Sequence, residues 1–268
     1  MTTTRGLRDR DQPITMLTAY DALTARLVEA AGIDVILVGD SMGTTVLGHD
    51  DTLPVTLEEA ASHTAAVVRA TDDALVVADM PFLSVGVDES ETIRNAGRML
   101  KEAGADAVKL ESGPHTVEIT ERLTQLGIPV MAHLGLTPQH INQLGGYSRQ
   151  GTTTEAAEEI LSLARDHEDA GAFALVLEHV PANVAAQITA ALDIPTIGIG
   201  AGPDCDGQVL VSADVMGLTD RHPPFAEQFG DVAAAMTDAI DAYREAVETE
   251  EFPAAEHSHI EEGVGDLE

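Results

Sequence analysis

Short, nearly unbroken apolar runs alternate with longer stretches in which apolar residues return every three or four positions, from about residue 14 to residue 250. Runs of the first kind read as strands covered on both faces, and the second kind as amphipathic helices. ITMLTAY (14–20) precedes DALTARLVEAAG, where Leu23, Leu27, Val28 and Ala31 recur at helical spacing until Gly32 stops the helix. IDVILVGDS (33–41) precedes LEEAASHTAAVVRA (57–70), for which Thr56 is the N-cap and Glu59 completes a capping box. ALVVADM (74–80) leads to ETIRNAGRMLKEAG (91–104), and DAVKLE (106–111) to HTVEITERLTQLG (115–127). IPVMAHLGL (128–136) is followed by a Gly-rich loop and then TEAAEEILSLARDHEDAG (154–171). FALVLEHV (173–180) leads to PANVAAQITAAL (181–192), with Pro181 at the helix start. IPTIGIGAG (194–202) and a weaker VLVSADVMGL (209–218) precede a last long helix at 231–250.

About eight strand–helix units follow one another without a break in composition. The expected architecture is a closed (β/α)8 TIM barrel forming one catalytic domain over 1–258, with a doubly wound open sheet as the alternative. Residues 259–268 read as an acidic, disordered tail. The recurring Ala-Gly cadence at 31–34, 103–106 and 171–173 reads as helix C-caps, not as a solenoid repeat.

Charge changes the picture of the surface. The 268 residues carry 46 acids against 14 bases, a formal net charge of −32. Such a surface repels nucleic acid and anionic membrane, so neither is expected as a partner. The acids are interleaved with strong apolar periodicity, and 44 % of the chain is hydrophobic. That combination describes a folded protein adapted to high salt, where a Debye length of roughly 3 Å screens the self-repulsion. Only Lys101 and Lys109 remain as lysines. A single cysteine, Cys205, excludes an intrachain disulfide. No segment reaches the ~18 apolar residues of a membrane span and no apolar leader opens the chain, so a soluble cytoplasmic protein is expected.

The chemistry of a barrel sits where its strands end. Asp40 and Ser41 follow the second run, Asp79 ends the third, Lys109 and Glu111 lie on the fourth, His133 on the fifth and Glu178 on the sixth. Two carboxylates about 4 Å apart repel by ~4 kcal/mol at an effective dielectric near 20, so such a rim needs a cation or protons. Oxygen donors with one nearby imidazole favour Mg²⁺ over Zn²⁺, and a chelating 2-oxo acid would complete the octahedron. Lys109 would then bind the substrate carboxylate, its plain alternative being an ion pair with Glu111. His133 is either a ligand-facing group or a satisfied core donor. Glu178, after an apolar run, suits a proton acceptor or donor. The glycines of IGIGAG (197–202) are more simply a tight turn than a phosphate site.

The ordered set TAYD (18–21), VGDS (38–41), GHDDTLPVT (48–56), ADMPF (78–82), VKLE (108–111), HLGLTPQ (133–139), GGYSRQG (145–151), LEHVP (177–181), IGIGAG (197–202) and EHS (256–258) closely resembles the ketopantoate hydroxymethyltransferase family. The resemblance implies a barrel of the phosphoenolpyruvate mutase/isocitrate lyase type. It also implies transfer of a one-carbon unit from 5,10-methylenetetrahydrofolate to C3 of 3-methyl-2-oxobutanoate, giving 2-dehydropantoate for pantothenate and coenzyme A synthesis. In family terms Asp40 and Asp79 correspond to Mg²⁺ ligands (Mn²⁺ or Co²⁺ being the other candidates) and Glu111 to a third carboxylate of the metal site. Ser41, Asp79 and Lys109 correspond to contacts with the oxo acid, with Asp40 and His133 beside them, and Glu178 to the proton acceptor. The family forms homo-oligomers, typically decamers. Departures are His179 where Cys is common, Ser112 where Gly is usual, and the lack of basic residues in HPPFAEQF (222–229). A Mg²⁺-dependent lyase or mutase acting on a 2-oxo acid is the competing activity, but such enzymes use a loop cysteine and Cys205 lies elsewhere. A barrel without catalysis gives no reason for four acids to end apolar strands.

Overall fold

Eight parallel strands close into a barrel in the computed structural model, which describes residues 2–10, 12–219 and 222–263. They are β1 Ile14–Thr18, β2 Val35–Val38, β3 Leu75–Asp79, β4 Ala107–Glu111, β5 Val130–Gly135, β6 Ala174–Glu178, β7 Thr196–Ile199 and β8 Gly207–Leu210. Each pairs with its neighbour in sequence and β8 returns to β1, which rules out the open sheet. Between them run α1 Ala22–Ala30, α2 Leu57–Val68, α3 Glu89–Lys101, α4 Val117–Gln125, α5 Thr154–Asp169 and α6 Ala182–Ala191.

The two-residue period of each strand divides its side chains between two cores. Met16, Val35, Leu37, Leu75, Val77, Ala107, Met131, Ala174, Val176, Ile197 and Val209 pack with one another in the barrel interior. The alternate residues, such as Ile36, Val38, Val76, Val108 and Leu110, pack outward with buried helix positions such as Val28, Val67 and Met99. Counting on in twos from the interior set reaches Asp79 from Val77, Lys109 and Glu111 from Ala107, His133 from Met131 and Glu178 from Val176. These polar residues of the rim are therefore inward-facing positions at the ends of the strands themselves.

The opposite end is closed by carboxylates that accept from neighbouring backbone. Asp34 Oδ2 accepts from Thr15 N at 2.9 Å, Asp106 Oδ2 from Val76 N at 2.9 Å, and Asp206 Oδ2 from Thr196 N at 2.8 Å. These acids are structural and satisfied, and they account for part of the charge without any chemistry. Gly32, Gly104 and Gly171 have φ of 81°, 86° and 93°, the left-handed C-caps read from the sequence. Thr56 and Glu59 form the expected capping box.

Several boundaries and faces differ from the sequence reading. β1 ends at Thr18, and the eighth strand begins at Gly207 and gives way to a helical turn at Ser212–Val215, because Ser212 N turns to donate to Thr18 Oγ1 at 2.9 Å. In α1 the stripe of Leu23 and Leu27 points outward, 72 % and 69 % exposed, while Ala25 and Val28 face the core. Spacing by four finds a stripe but does not say which side the barrel lies on.

The contacts separate two units: residues 1–212 with 223–226, which contain the barrel, and residues 213–222 with 227–268. The second unit holds α7, Val232–Glu248, which buries none of its side chains and presents Met236, Ile240, Tyr243 and Val247 along one stripe. Within that unit the rings of Tyr243 and Phe252 meet edge to face at 5.8 Å. The expected tail, 259–268, lies outside the described residues from 264 onward. No helix among the described residues is long and apolar enough to cross a membrane.

Candidate active site

Six of the seven residues singled out from the sequence are Asp40, Asp79, Lys109, Glu111, His133 and Glu178, and with Ser41 all line one cavity of about 110 Å³ at the strand ends. That is well above the ~15 Å³ a single water requires. Its floor is the top of the interior core, Leu37, Val176, Ile199 and Val209. A wider cleft of about 490 Å³ beside α5 and α6 is lined by a single acid, Glu158.

β3 and β4 are in register at Asp79 and Lys109, which places both inward-facing side chains beside each other. Lys109 Nζ lies 2.8 Å from Asp79 Oδ1, so the ion pair runs across the strands and not, as the sequence alternative had it, along β4 to Glu111. The same ammonium bonds His133 Nδ1 at 3.2 Å, and His133 Nε2 lies 3.1 Å from Glu178 Oε2. His133 is thus neither isolated nor a simple core donor: it joins the lysine to the sixth-strand acid. Glu111 pairs in register with His133 across β4 and β5.

Asp40 stands just beyond β2, and its backbone N donates to Asp79 Oδ2 at 3.3 Å. Its Oδ2 accepts from Gln139 Nε2 at 2.9 Å, and Glu111 accepts from Gln139 N at 3.0 and 3.2 Å. Ser41 Oγ is 2.8 Å from Tyr20 Oη. A Cβ at Gly39 would lie 2.8 Å from that Ser41 oxygen, so a residue with a side chain there would push Ser41 aside. Gly135 is equally constrained. Its φ is 99° and an added Cβ would fall 2.2 Å from the carbonyl of Glu178, which Leu136 N also holds at 2.8 Å. Directly after Glu178, His179 has φ of 50°, a left-handed bend uncommon outside glycine, and its N donates to Ile199 O at 2.8 Å. Ser112, the other departure, bridges β4 and β5 through Leu110 O at 2.9 Å and His133 N at 3.2 Å.

Burial sets the protonation states. It pushes Asp40 up to about 7, with the nearby Asp79 charge adding to the effect. Asp79 is raised by burial against the pull of Lys109, and Glu111 is raised well above its ordinary value by burial and the Asp40 charge. Burial works against the Lys109 charge, yet Asp79, Asp40 and Glu111 outweigh it and hold the ammonium protonated. His133 is lowered by burial and by Lys109, so its ring is neutral. With Lys109 donating to Nδ1, the ring proton must sit on Nε2, facing Glu178.

Three buried carboxylates against one ammonium leave two negative charges uncompensated, which protons or one divalent cation would balance. Among the described residues no three His, Cys, Asp or Glu side chains close on a point as a ready-made metal cage. The all-oxygen donor set instead fits a hard ion that takes one or two carboxylates and completes its octahedron with water and substrate oxygens. In ion-free protein the sign of the pH effect follows. A carboxyl raised from 3.8 to about 7 favours folding at low pH, and that contribution is lost as pH rises through the folded value. Thermal melting in high salt with chelator should therefore show stability falling between pH 4 and 7, a slope reduced in Asp40→Asn. Parallel curves for the two proteins would contradict it.

Sequence reasoning gave no role to Gln139 or Tyr20. They lie in TAYD and HLGLTPQ, but nothing in periodicity marks an amide three residues beyond Leu136, or a tyrosine just past β1, as facing the rim. Only the closing of the barrel brings Gln139 to Asp40, 99 positions away.

The family model for ketopantoate hydroxymethyltransferase matches residues 1–255. The 3-methyl-2-oxobutanoate hydroxymethyltransferase of Haloarcula marismortui is 70 % identical over 257 residues, covering 96 % of this chain and 95 % of that protein. The enzyme of the same name from Halobacterium salinarum is 70 % identical over 259 residues, 97 % of this chain and 94 % of its own. Both come from halophiles, in keeping with the acidic composition. Among solved structures, a phosphoenolpyruvate phosphomutase from Streptomyces platensis subsp. rosaceus superposes with a TM-score of 0.63 at 16 % identity, over 91 % of this chain and 86 % of that one. At that identity the likeness speaks for the fold alone.

Proposed function

Since the chain belongs to the ketopantoate hydroxymethyltransferase family, we propose that its barrel mouth takes the one-carbon unit of 5,10-methylenetetrahydrofolate and joins it to C3 of 3-methyl-2-oxobutanoate with a divalent ion, Mg²⁺ by donor chemistry, in place. The protein is an enzyme, a hydroxymethyltransferase of pantothenate synthesis. The observation that supports the site assignment most strongly is Lys109. It is the one ammonium in the cavity, held between Asp79 and His133 and kept protonated by the acids around it.

Asp40 and Asp79 would hold the ion, with Glu111 reaching it directly or through water. When bound, such an ion supplies Lewis-acid stabilisation of the negative charge that develops on the oxo acid. Lys109 binds the substrate carboxylate and adds a second positive charge beside it. Ser41, held by Tyr20, donates to a substrate oxygen. Glu178 takes the proton from C3, and the neutral His133, with its proton on Nε2, holds the carboxylate in place for that step. The freed electron pair at C3 forms the new C–C bond to the methylene carbon as one of its two C–N bonds breaks, and that nitrogen keeps the electron pair and takes up the proton removed from C3. Water then forms the C–O bond as the second C–N bond breaks, its proton passes to that nitrogen, and tetrahydrofolate leaves. The rim excludes bulk water only partly, since Glu178 is half-buried, and that leaves an approach for the pterin.

The catalytic domain is taken to run over 1–258 with 259–268 as an acidic tail, in a cytoplasmic homo-oligomer, in family terms a decamer. The outward Leu23 and Leu27 of α1 and the apolar stripe of α7 support association with further copies. The competing lyase reading is not favoured. Cys205 lies by Ile14, Pro195 and Asp206 at the other end of the strands, where burial raises its thiol.

The test is a turnover assay in high salt with the oxo acid and 5,10-methylenetetrahydrofolate. Formation of 2-dehydropantoate should fall by at least about 100-fold with EDTA and return with excess Mg²⁺. Full turnover in EDTA would overturn the ion's part, and no turnover under any metal would overturn the choice of donor.

A further inference from the structure

Gln139 sits in the single helical turn Pro138–His140 that follows β5, and it is buried although uncharged and polar. Both hydrogens of its side-chain amide are used, one on Asp40 Oδ2 at 2.9 Å and one on the carbonyl of Met80 at 2.9 Å. That carbonyl can only accept, so the amide nitrogen, and not its oxygen, must face Asp40. The backbone N of the same residue donates to the two oxygens of Glu111 at 3.2 and 3.0 Å. One residue thus grips acids from two different strand ends, and through Met80 it is tied to a third.

The grip is selective. Gln139 occupies Oδ2 of Asp40, whereas Oδ1 accepts no hydrogen bond among the described residues. An amide donor steadies a carboxylate without neutralising it, so it leaves the charge available to a cation; a lysine or arginine at the same place would compete with that cation. We propose that Gln139 is the positioning residue of the ion site, fixing Asp40 so that Oδ1 faces the ion and holding Glu111 beside it. The inference rests on the reading that these acids serve a divalent ion, and it assigns to the turn after β5 the task of setting that ion's affinity.

Partners of this kind typically account for 10- to 100-fold in metal affinity. The experiment compares wild type with Gln139→Met, which keeps the length and the backbone N–H on Glu111 but removes both side-chain donors. Free Mn²⁺ is followed by electron paramagnetic resonance in high salt, without substrates, and folding by circular dichroism in EDTA. The expected result is a Kd for Mn²⁺ raised roughly 10- to 100-fold in Gln139→Met, in protein that melts as one folded species. If Gln139→Met does not fold, Gln139→Asn, which keeps the amide one methylene short of its partners, supplies the same comparison. A Kd within twofold of wild type in a folded variant overturns the proposal and leaves Gln139 a structural residue. Absence of Mn²⁺ binding by the wild-type protein would instead sink the ion site itself, so the two failures are distinguishable.

Discussion

Glu178→Gln should lower exchange of the C3 proton of 3-methyl-2-oxobutanoate by roughly 10²- to 10⁴-fold while leaving binding of the oxo acid nearly intact. The substitution keeps size and shape, and the amide oxygen can still face the Nε2 proton of His133, 3.1 Å from the present carboxylate. What it removes is the ability to accept a proton. Gly135 and the left-handed His179 fix the backbone on which Glu178 stands, so the change should not propagate. The measurement is proton NMR of the oxo acid in D2O with Mg²⁺ and enzyme, without the folate, which isolates the first step from the C–C bond. Unchanged exchange would place the base on another residue.

Asp79→Asn has the second large effect, because this carboxylate serves three neighbours. It pairs with Lys109 through Oδ1, accepts from Asp40 N through Oδ2, and faces the proposed ion. The asparagine keeps one acceptor oxygen but offers Lys109 no charge, and its NH2 group would meet either the ammonium or the Asp40 N–H, donor against donor. Lys109 would lose its fixed position, and the site would lose one of the charges that attract a cation. Mn²⁺ binding and oxo acid binding should therefore weaken together, each by roughly 100-fold, and kcat/KM by ~10³ or more. Titrating the variant with Mn²⁺ in the presence and absence of the oxo acid checks this. If only one of the two affinities fell, the shared role of Asp79 would be wrong.

Much of this site is visible in the chain because barrels place their chemistry at strand ends and strands alternate in twos. The inward phase of Val77, Ala107, Met131 and Val176 carries directly to Asp79, Lys109, His133 and Glu178, so local pattern was enough to find them. Which of them touch was not visible. The sequence alternative joined Lys109 to Glu111 within one strand, but the register of β3 against β4 gives it Asp79, and register is set by the closure of the whole barrel. Gln139 escaped for the same reason, since its partners lie 28, 59 and 99 positions away. The helix faces failed differently. Leu23 and Leu27 satisfy helical spacing yet point outward, because the apolar period marks a stripe without fixing which side of the helix meets the core.

The claim beneath these results is that acids from separate strand ends share one divalent ion. Anomalous diffraction at the manganese edge, from crystals grown in high salt and soaked with Mn²⁺ and the oxo acid, addresses it directly. The account predicts a single strong peak in the mouth of the barrel, within about 2–2.5 Å of an oxygen of Asp40 or Asp79 and with Glu111 in reach directly or through one water. A peak only at the surface acids, or none in a crystal that binds the oxo acid, would contradict it.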